Sequence, residues 1–240
     1  MSSLARRATA EMLGTAFLVF FGCSAVIMDY FAGYHLFGIA IIHAIILSLA
    51  VSMTMGISGG HCNPAVTIGL MTVKRIPPVE AFVYVASQLI GALLASLLVH
   101  YAMPDNVGRV VAYGAPTLAS NVTFMNAVVL EAIITFLLMS GVMGTIVAWK
   151  APRLAGFGVG LTLIPSIMIA GSLTGAAANP ARAFGPAAIS GIMTAQAVWW
   201  IGPIVGAVLA ALLWEHVLLK KDLPPAGFDP LHESLQEADE

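Results

Sequence analysis

Asn-Pro-Ala occurs twice in this chain, as Asn63-Pro64-Ala65 and as Asn179-Pro180-Ala181, each time inside apolar sequence. The first copy lies in SGGHCNPAVTIGL, Ser58 to Leu70, and the second in AAANPARAFGP. Asn is among the best helix N-caps, and Pro is favoured at the first helical position, where its missing N–H is no loss, so each triplet predicts a helix start. The residues before the triplets, Gly59-Gly60-His61-Cys62 and Thr174-Gly175-Ala176-Ala177-Ala178, predict irregular backbone. At membrane depth such backbone is tolerated only when buried in protein or lining a water-filled path, so the implied chemistry is that of a polar pathway.

The elements that must position these residues are membrane spans. Of 240 residues, 59% are hydrophobic and 9% charged, against about 25% charged in soluble domains; the mean hydropathy is +0.93. Apolar runs at about Ala8–Tyr30, Leu36–Ile57, Val79–Tyr101, Thr123–Ala148, Leu154–Gly171 and Ala195–Leu219 each approach the ~20 residues that cross a bilayer as helix. Six spans place both termini on one side. Arg6, Arg7, Lys74, Arg75, Lys150, Arg153, Lys220 and Lys221 fall at span ends or loops of that side, which marks it cytoplasmic. Residues 222–240 hold six of the twelve acids and no Lys or Arg, and are expected to form an acidic cytoplasmic tail. The positively charged N-terminus before an apolar run is expected to be an uncleaved first span. Cys23 and Cys62 form neither a disulfide framework nor a metal site at any recognised spacing, and no metal is expected.

The chain also repeats itself. AEMLGTAFLVFFG, from Ala10, and LEAIITFLLMSG, from Leu130, each place a Glu at the head of a Phe-containing apolar helix, and Glu11 and Glu131 precede Asn63 and Asn179 by 52 and 48 residues. Each half therefore reads as span, span, Asn-Pro-Ala segment, span, with halves at 1–121 and 122–221. Three spans per half invert the second half relative to the first, so one triplet enters from each face. Room remains for one short helix after each triplet, at 64–73 and 180–190, about 15 Å long at 1.5 Å per residue. That length reaches mid-membrane and stops there.

The paired motifs SGGHCNPAV and NPARAFGP, the Glu heading spans one and four, and Gln88 in span three closely resemble the major intrinsic proteins, the aquaporins and glycerol facilitators, over residues 8 to about 219. The resemblance implies an all-α membrane protein, with six tilted helices and two re-entrant half-helices in an inverted repeat, one pore per chain, and a homotetramer in the bilayer. The Asn63 and Asn179 amides would face a passing oxygen between two positive half-helix ends. Carbonyls of Gly59, Gly60, His61 and Cys62, and of Gly175, Ala176, Ala177 and Ala178, would replace hydration opposite an apolar wall. Glu11 and Glu131 would lie buried, accepting N–H groups of the nearby loops; the other place for Glu11 is the headgroup level.

By family register the narrow filter is His43, Ile167, Ala176 and Arg182. Arg182 is a functional-site candidate even without the family, as an ionisable group within the membrane. The filter set resembles that of some plant vacuolar aquaporins and of a mammalian ammonia-permeable branch, which implies ammonia passing beside water. The connection from Ala102 to Val122 holds no His like that of some ammonia-permeable relatives. Glycerol facilitators carry an Asp just after the filter Arg; here that place is Ala183, which disfavours glycerol. Trp199 and Trp200 fit the water-channel pattern or an aromatic belt.

An intramembrane serine protease is the rival in kind, since Gly56-Ile57-Ser58-Gly59 imitates a nucleophile motif with His61 or His216 as base. A structural or junction-forming protein is a third reading. The duplication covers more residues than either, so the expectation is passive transport of water and small neutral solutes, with no catalytic residues, no cofactor and no nucleic-acid partner.

Overall fold

A backbone in hydrocarbon must satisfy its own hydrogen bonds, so apolar runs of this length fold as helices. The computed structural model describes residues 3–152 and 154–219; the acidic tail at 222–240, Arg153, Lys220 and Lys221 lie outside the described residues. Among the described residues there are helices and no strands, and six helical segments are long and apolar enough to cross a membrane. In chain order the helices are α1 (Ser3–Ala32), α2 (His35–Ser58), α3 (Pro64–Thr72), α4 (Pro78–Ala102), α5 (Asp105–Val110), α6 (Phe124–Val142), α7 (Gly156–Gly160), α8 (Leu163–Thr174), α9 (Pro180–Ser190) and α10 (Val198–Leu213). Helices α6 and α10 run on into single π-helical turns at Met143–Val147 and Trp214–Leu218.

Three long helix pairs carry the bundle, α1 along α2, α1 along α4, and α6 along α10. Their closeness depends on glycine. A Cβ on Gly91 of α4 would collide with the carbonyl of Met12, and one on Gly206 of α10 with the carbonyl of Ala132. Met12 and Ala132 each follow a Glu that heads its half, so the same approach occurs twice. Small residues at such contacts let backbones touch where lipid supplies no hydrophobic drive for association. The short helices cross between halves, α3 packing on α10 and α9 on α4.

The observed half-helices match the predicted starts. α9 has its predicted bounds, and α3 ends one residue early because Val73 serves as its C-cap. The fifth span differs from the single run expected at Leu154–Gly171. It breaks at Leu161 and Thr162 and reaches Thr174. Pro165 has no N–H to donate to Leu161, so the helix restarts with proline in its first turn, where that loss costs least.

At one end of the bundle Arg7 grips Glu80 through two bonds of 2.8 Å, and Arg75 meets Glu215 at 3.1 Å through both Nε and Nη2. These bridges tie α1 to α4, and the connection after α3 to the end of the last span.

Candidate functional site

Asn63 and Asn179 have extended backbone, with φ/ψ of −160°/121° and −153°/111°. That conformation lets each side chain fold forward over its own helix. Oδ1 of Asn63 accepts from the Ala65 N–H at 2.9 Å, and Oδ1 of Asn179 accepts from Ala181 and Arg182 at 3.0 and 3.2 Å. Pro64 and Pro180 occupy the first helical positions. The amide nitrogens reach the other way: Asn63 Nδ2 donates to the Ala178 carbonyl at 2.8 Å, and Asn179 Nδ2 to the Cys62 carbonyl at 2.9 Å. Each NH₂ has two hydrogens, so one donor of each Asn remains beyond this bridge.

The loops that present the triplets are turned alike. Gly59, Gly60 and Cys62 have φ of 92°, 65° and 49°, and Gly175, Ala176 and Ala178 have 77°, 44° and 48°. Left-handed backbone at a non-glycine residue costs about 1–2 kcal/mol, so Cys62, Ala176 and Ala178 are held there by the surroundings. The Ala176 N–H donates to Thr174 Oγ1 at 3.2 Å, and the holders of Cys62 and Ala178 are the two glutamates. Glu11 accepts from Ser58 Oγ at 2.6 Å, the His61 N–H at 3.0 Å, the Cys62 N–H at 2.7 Å and Gln88 Nε2 at 2.8 Å. Glu131 accepts from Thr174 Oγ1 at 2.7 Å and the N–H groups of Ala177 and Ala178 at 3.1 and 2.8 Å. Both side chains are fully buried inside the protein.

Asn63, Asn179 and His61 line one narrow cavity with Ala176, Ala177, His43, Ile167 and Arg182. Leu18, Leu47, Val66, Leu138, Val142, Val159 and Leu163 complete it as an apolar wall. His43, Ile167 and Arg182 also line a wider vestibule, as does Gly175, so these three stand where the two spaces meet. Gly59 and Gly60, expected to line the passage, belong to neither lining. The carbonyls of Cys62 and Ala178, expected to meet solute, each receive the Asn amide of the opposite loop.

His43 Nδ1 lies 2.9 Å from the Ile39 carbonyl. A carbonyl only accepts, which puts the proton on Nδ1 and leaves Nε2 as an acceptor. Arg182 Nη2 is 3.5 Å from that Nε2, and Arg182 Nη1 donates to the Gly114 carbonyl at 2.9 Å. Gly114 was not among the residues that sequence reasoning singled out. It ends a turn in which Ala112, Tyr113 and Gly114 have φ of 49°, 49° and 81°, and a glycine in the long connection between α4 and α6 carries no periodic signal. Trp199 is buried rather than in an interfacial belt, and its Nε1 donates to the Thr174 carbonyl at 2.9 Å.

Residues 1–214 match the sequence profile of a family described as Major intrinsic protein. The chain belongs to the major intrinsic protein family. Aquaporin TIP4-4 of Zea mays is 36% identical over 239 residues, covering 94% of this chain and 90% of its own. Aquaporin AqpM of Methanothermobacter thermautotrophicus is 36% identical over 243 residues, covering 90% and 99%. The solved aquaglyceroporin from Plasmodium falciparum superposes with a TM-score of 0.77 at 20% identity, over 90% of this chain and 97% of that one, and bears on the fold alone.

Major intrinsic proteins are channels, not enzymes, and the geometry around Ser58 agrees. Its hydroxyl donates to Glu11, while His61 Nδ1 pairs with Thr67 Oγ1 at 3.1 Å. The imitation of a nucleophile motif is a loop anchor, repeated by Thr174 on Glu131 in the other half.

Proposed function

We propose that this channel conducts water passively, excludes protons and ions, and admits ammonia through a filter of His43, Ile167, Ala176 and Arg182. The observation that carries the reading is the reciprocal Asn bridge at the meeting of α3 and α9. Two half-helix N-termini with partial positive charge face the same point, and each Asn keeps one N–H to offer there. A water accepting both has its own hydrogens turned outward along the passage, so its neighbours cannot relay a proton through it. Cations meet the positive field directly. The apolar wall keeps binding weak, which favours flow.

Ammonia follows from the polar mouth, in which His43 stands where water-selective members carry Phe: Ile167 and Ala176 leave space, and Arg182 and the loop carbonyls offer partners to a small polar solute. Glycerol is the weaker reading, because Ala183 stands where facilitators carry Asp. The same reading takes residues 1–121 and 122–221 as inverted repeats, both termini as cytoplasmic, and the assembly as a homotetramer in the cell membrane.

The test is stopped-flow measurement on proteoliposomes with wild type and His43→Phe, challenged with an osmotic step, glycerol and an ammonia pulse read by internal pH. Water and ammonia entry above empty liposomes, with ammonia reduced in His43→Phe, is expected. Water flux alone rejects ammonia, and dominant glycerol flux rejects the water-type filter.

A further inference from the structure

The imidazole of His43 lines the passage on one face and has Gly22 of α1 on another. Gly22 is buried and belongs to neither the central cavity nor the vestibule lining. A Cβ built on Gly22 would stand 2.6 Å from His43 Nε2, 2.9 Å from Cδ2 and 3.2 Å from Cε1. Those three are ring atoms, so no flexible tail can swing aside. The ring is also pinned at its far nitrogen by the bond to the Ile39 carbonyl. The next residue of α1, Cys23, backs the other polar filter group: a Cβ on Gly114 would meet Cys23 Cα at 2.8 Å and Cβ at 2.9 Å, and Gly114 holds Arg182. Consecutive residues of α1 thus form a wall behind both His43 and the support of Arg182.

We infer that Gly22 is a specificity-determining residue of this channel: lacking a side chain, it lets the His43 ring sit back from the passage, and so sets the filter width. Ordinary contact between heavy atoms is about 3.5–4.0 Å, so a methyl group at position 22 displaces the ring by roughly 1 Å. With Gly22 behind it and open passage before it, the ring moves inward. The displacement also disturbs the Nε2 contact with Arg182. Solutes that need the full width lose entry first, and water last. This inference rests on reading His43 as part of the narrow gate.

The experiment compares wild type, Gly22→Ala, His43→Ala and the double variant in proteoliposomes, with osmotic water flux, ammonia and urea as separate probes. Gly22→Ala is expected to keep water flux within about twofold and to lower ammonia entry about fivefold or more. In the double variant no ring remains to displace, so ammonia and urea entry return to the His43→Ala level. A merely structural glycine predicts equal loss of all fluxes with no rescue by His43→Ala, and that outcome overturns the inference. A wild-type solute ratio in Gly22→Ala, while His43→Ala shifts that ratio, overturns it alone. Unchanged ratios in His43→Ala reject the gate itself, and the inference with it.

Discussion

Asn63 is held by the residue that precedes Asn179: its Nδ2 donates to the Ala178 carbonyl at 2.8 Å, while Asn179 returns the bond to Cys62 at 2.9 Å. Each Asn therefore does two jobs, capping its own helix through Oδ1 and fastening the opposite loop through Nδ2. The jobs separate chemically.

Asn63→Asp keeps an oxygen for the Ala65 N–H but turns a second oxygen toward the Ala178 carbonyl. An unmet buried carbonyl costs about 1–3 kcal/mol, and the like-charged approach adds to it. The expected outcome is a lower unfolding temperature in detergent and loss of most water flux. Asn63→Ala also removes the cap, worth about 1 kcal/mol more. If Asn63→Asp proteoliposomes conduct like wild type, the bridge has no part in holding the passage.

Glu11 and Glu131 present both carboxylate oxygens to loop N–H groups, His61 and Cys62 in one case, Ala177 and Ala178 in the other. An amide has one acceptor oxygen, so Gln at either position sets its NH₂ against a buried N–H. Glu11→Gln and Glu131→Gln are each expected to lose about 1–3 kcal/mol, read as earlier thermal unfolding followed by circular dichroism. Their ammonia-to-water ratio at low temperature should stay that of wild type, since neither side chain lines the cavity. A changed ratio at wild-type stability would remove the scaffold role.

The chain announces its repeated parts and hides its single ones. Asn-Pro-Ala, the heading glutamates and the half-helix starts are legible because each rests on a local rule, a cap or a proline, and occurs twice. The grip of Gly114 on Arg182, the burial of Trp199 and the seat of His43 on Gly22 are not. Each joins residues distant in sequence through one side chain or one missing Cβ, and no periodicity encodes that. The break at Leu161 was visible only as Pro165 inside an otherwise unbroken apolar run.

Cys62 stands next to Asn63, yet its sulfur points away from the passage. It is fully buried, 3.7 Å from Thr54 Oγ1, and packed where a Cβ on Gly14 would be. Cys23 is fully buried as well. Water flux through wild-type proteoliposomes is therefore expected to be unaffected by mercuric chloride. Inhibition that disappears in Cys62→Ser would put the sulfur in the passage and contradict this packing.

Asp105 connects pH to the support of Arg182. Its carboxylate accepts from Arg109 Nε at 2.8 Å and from the Tyr113 hydroxyl, and Tyr113 adjoins Gly114. The bond from Arg109, then that from Tyr113, hold the Asp105 carboxyl below its ordinary 3.8, with the charge of His100 adding a little. A depressed pKa in the folded chain means that the stabilising contribution is complete above the ordinary value and is lost as pH falls through the lowered one. Amide hydrogen exchange at residues 112–115, corrected for intrinsic rate, should stay slow from neutral pH to about 4 and speed up below it. Asp105→Asn should exchange faster at neutral pH and show no further acceleration on acidification. Equal protection in the two proteins across that range would mean that the Ala112–Gly114 turn is held by its own packing on Cys23, and that Asp105 contributes nothing to the position of Arg182.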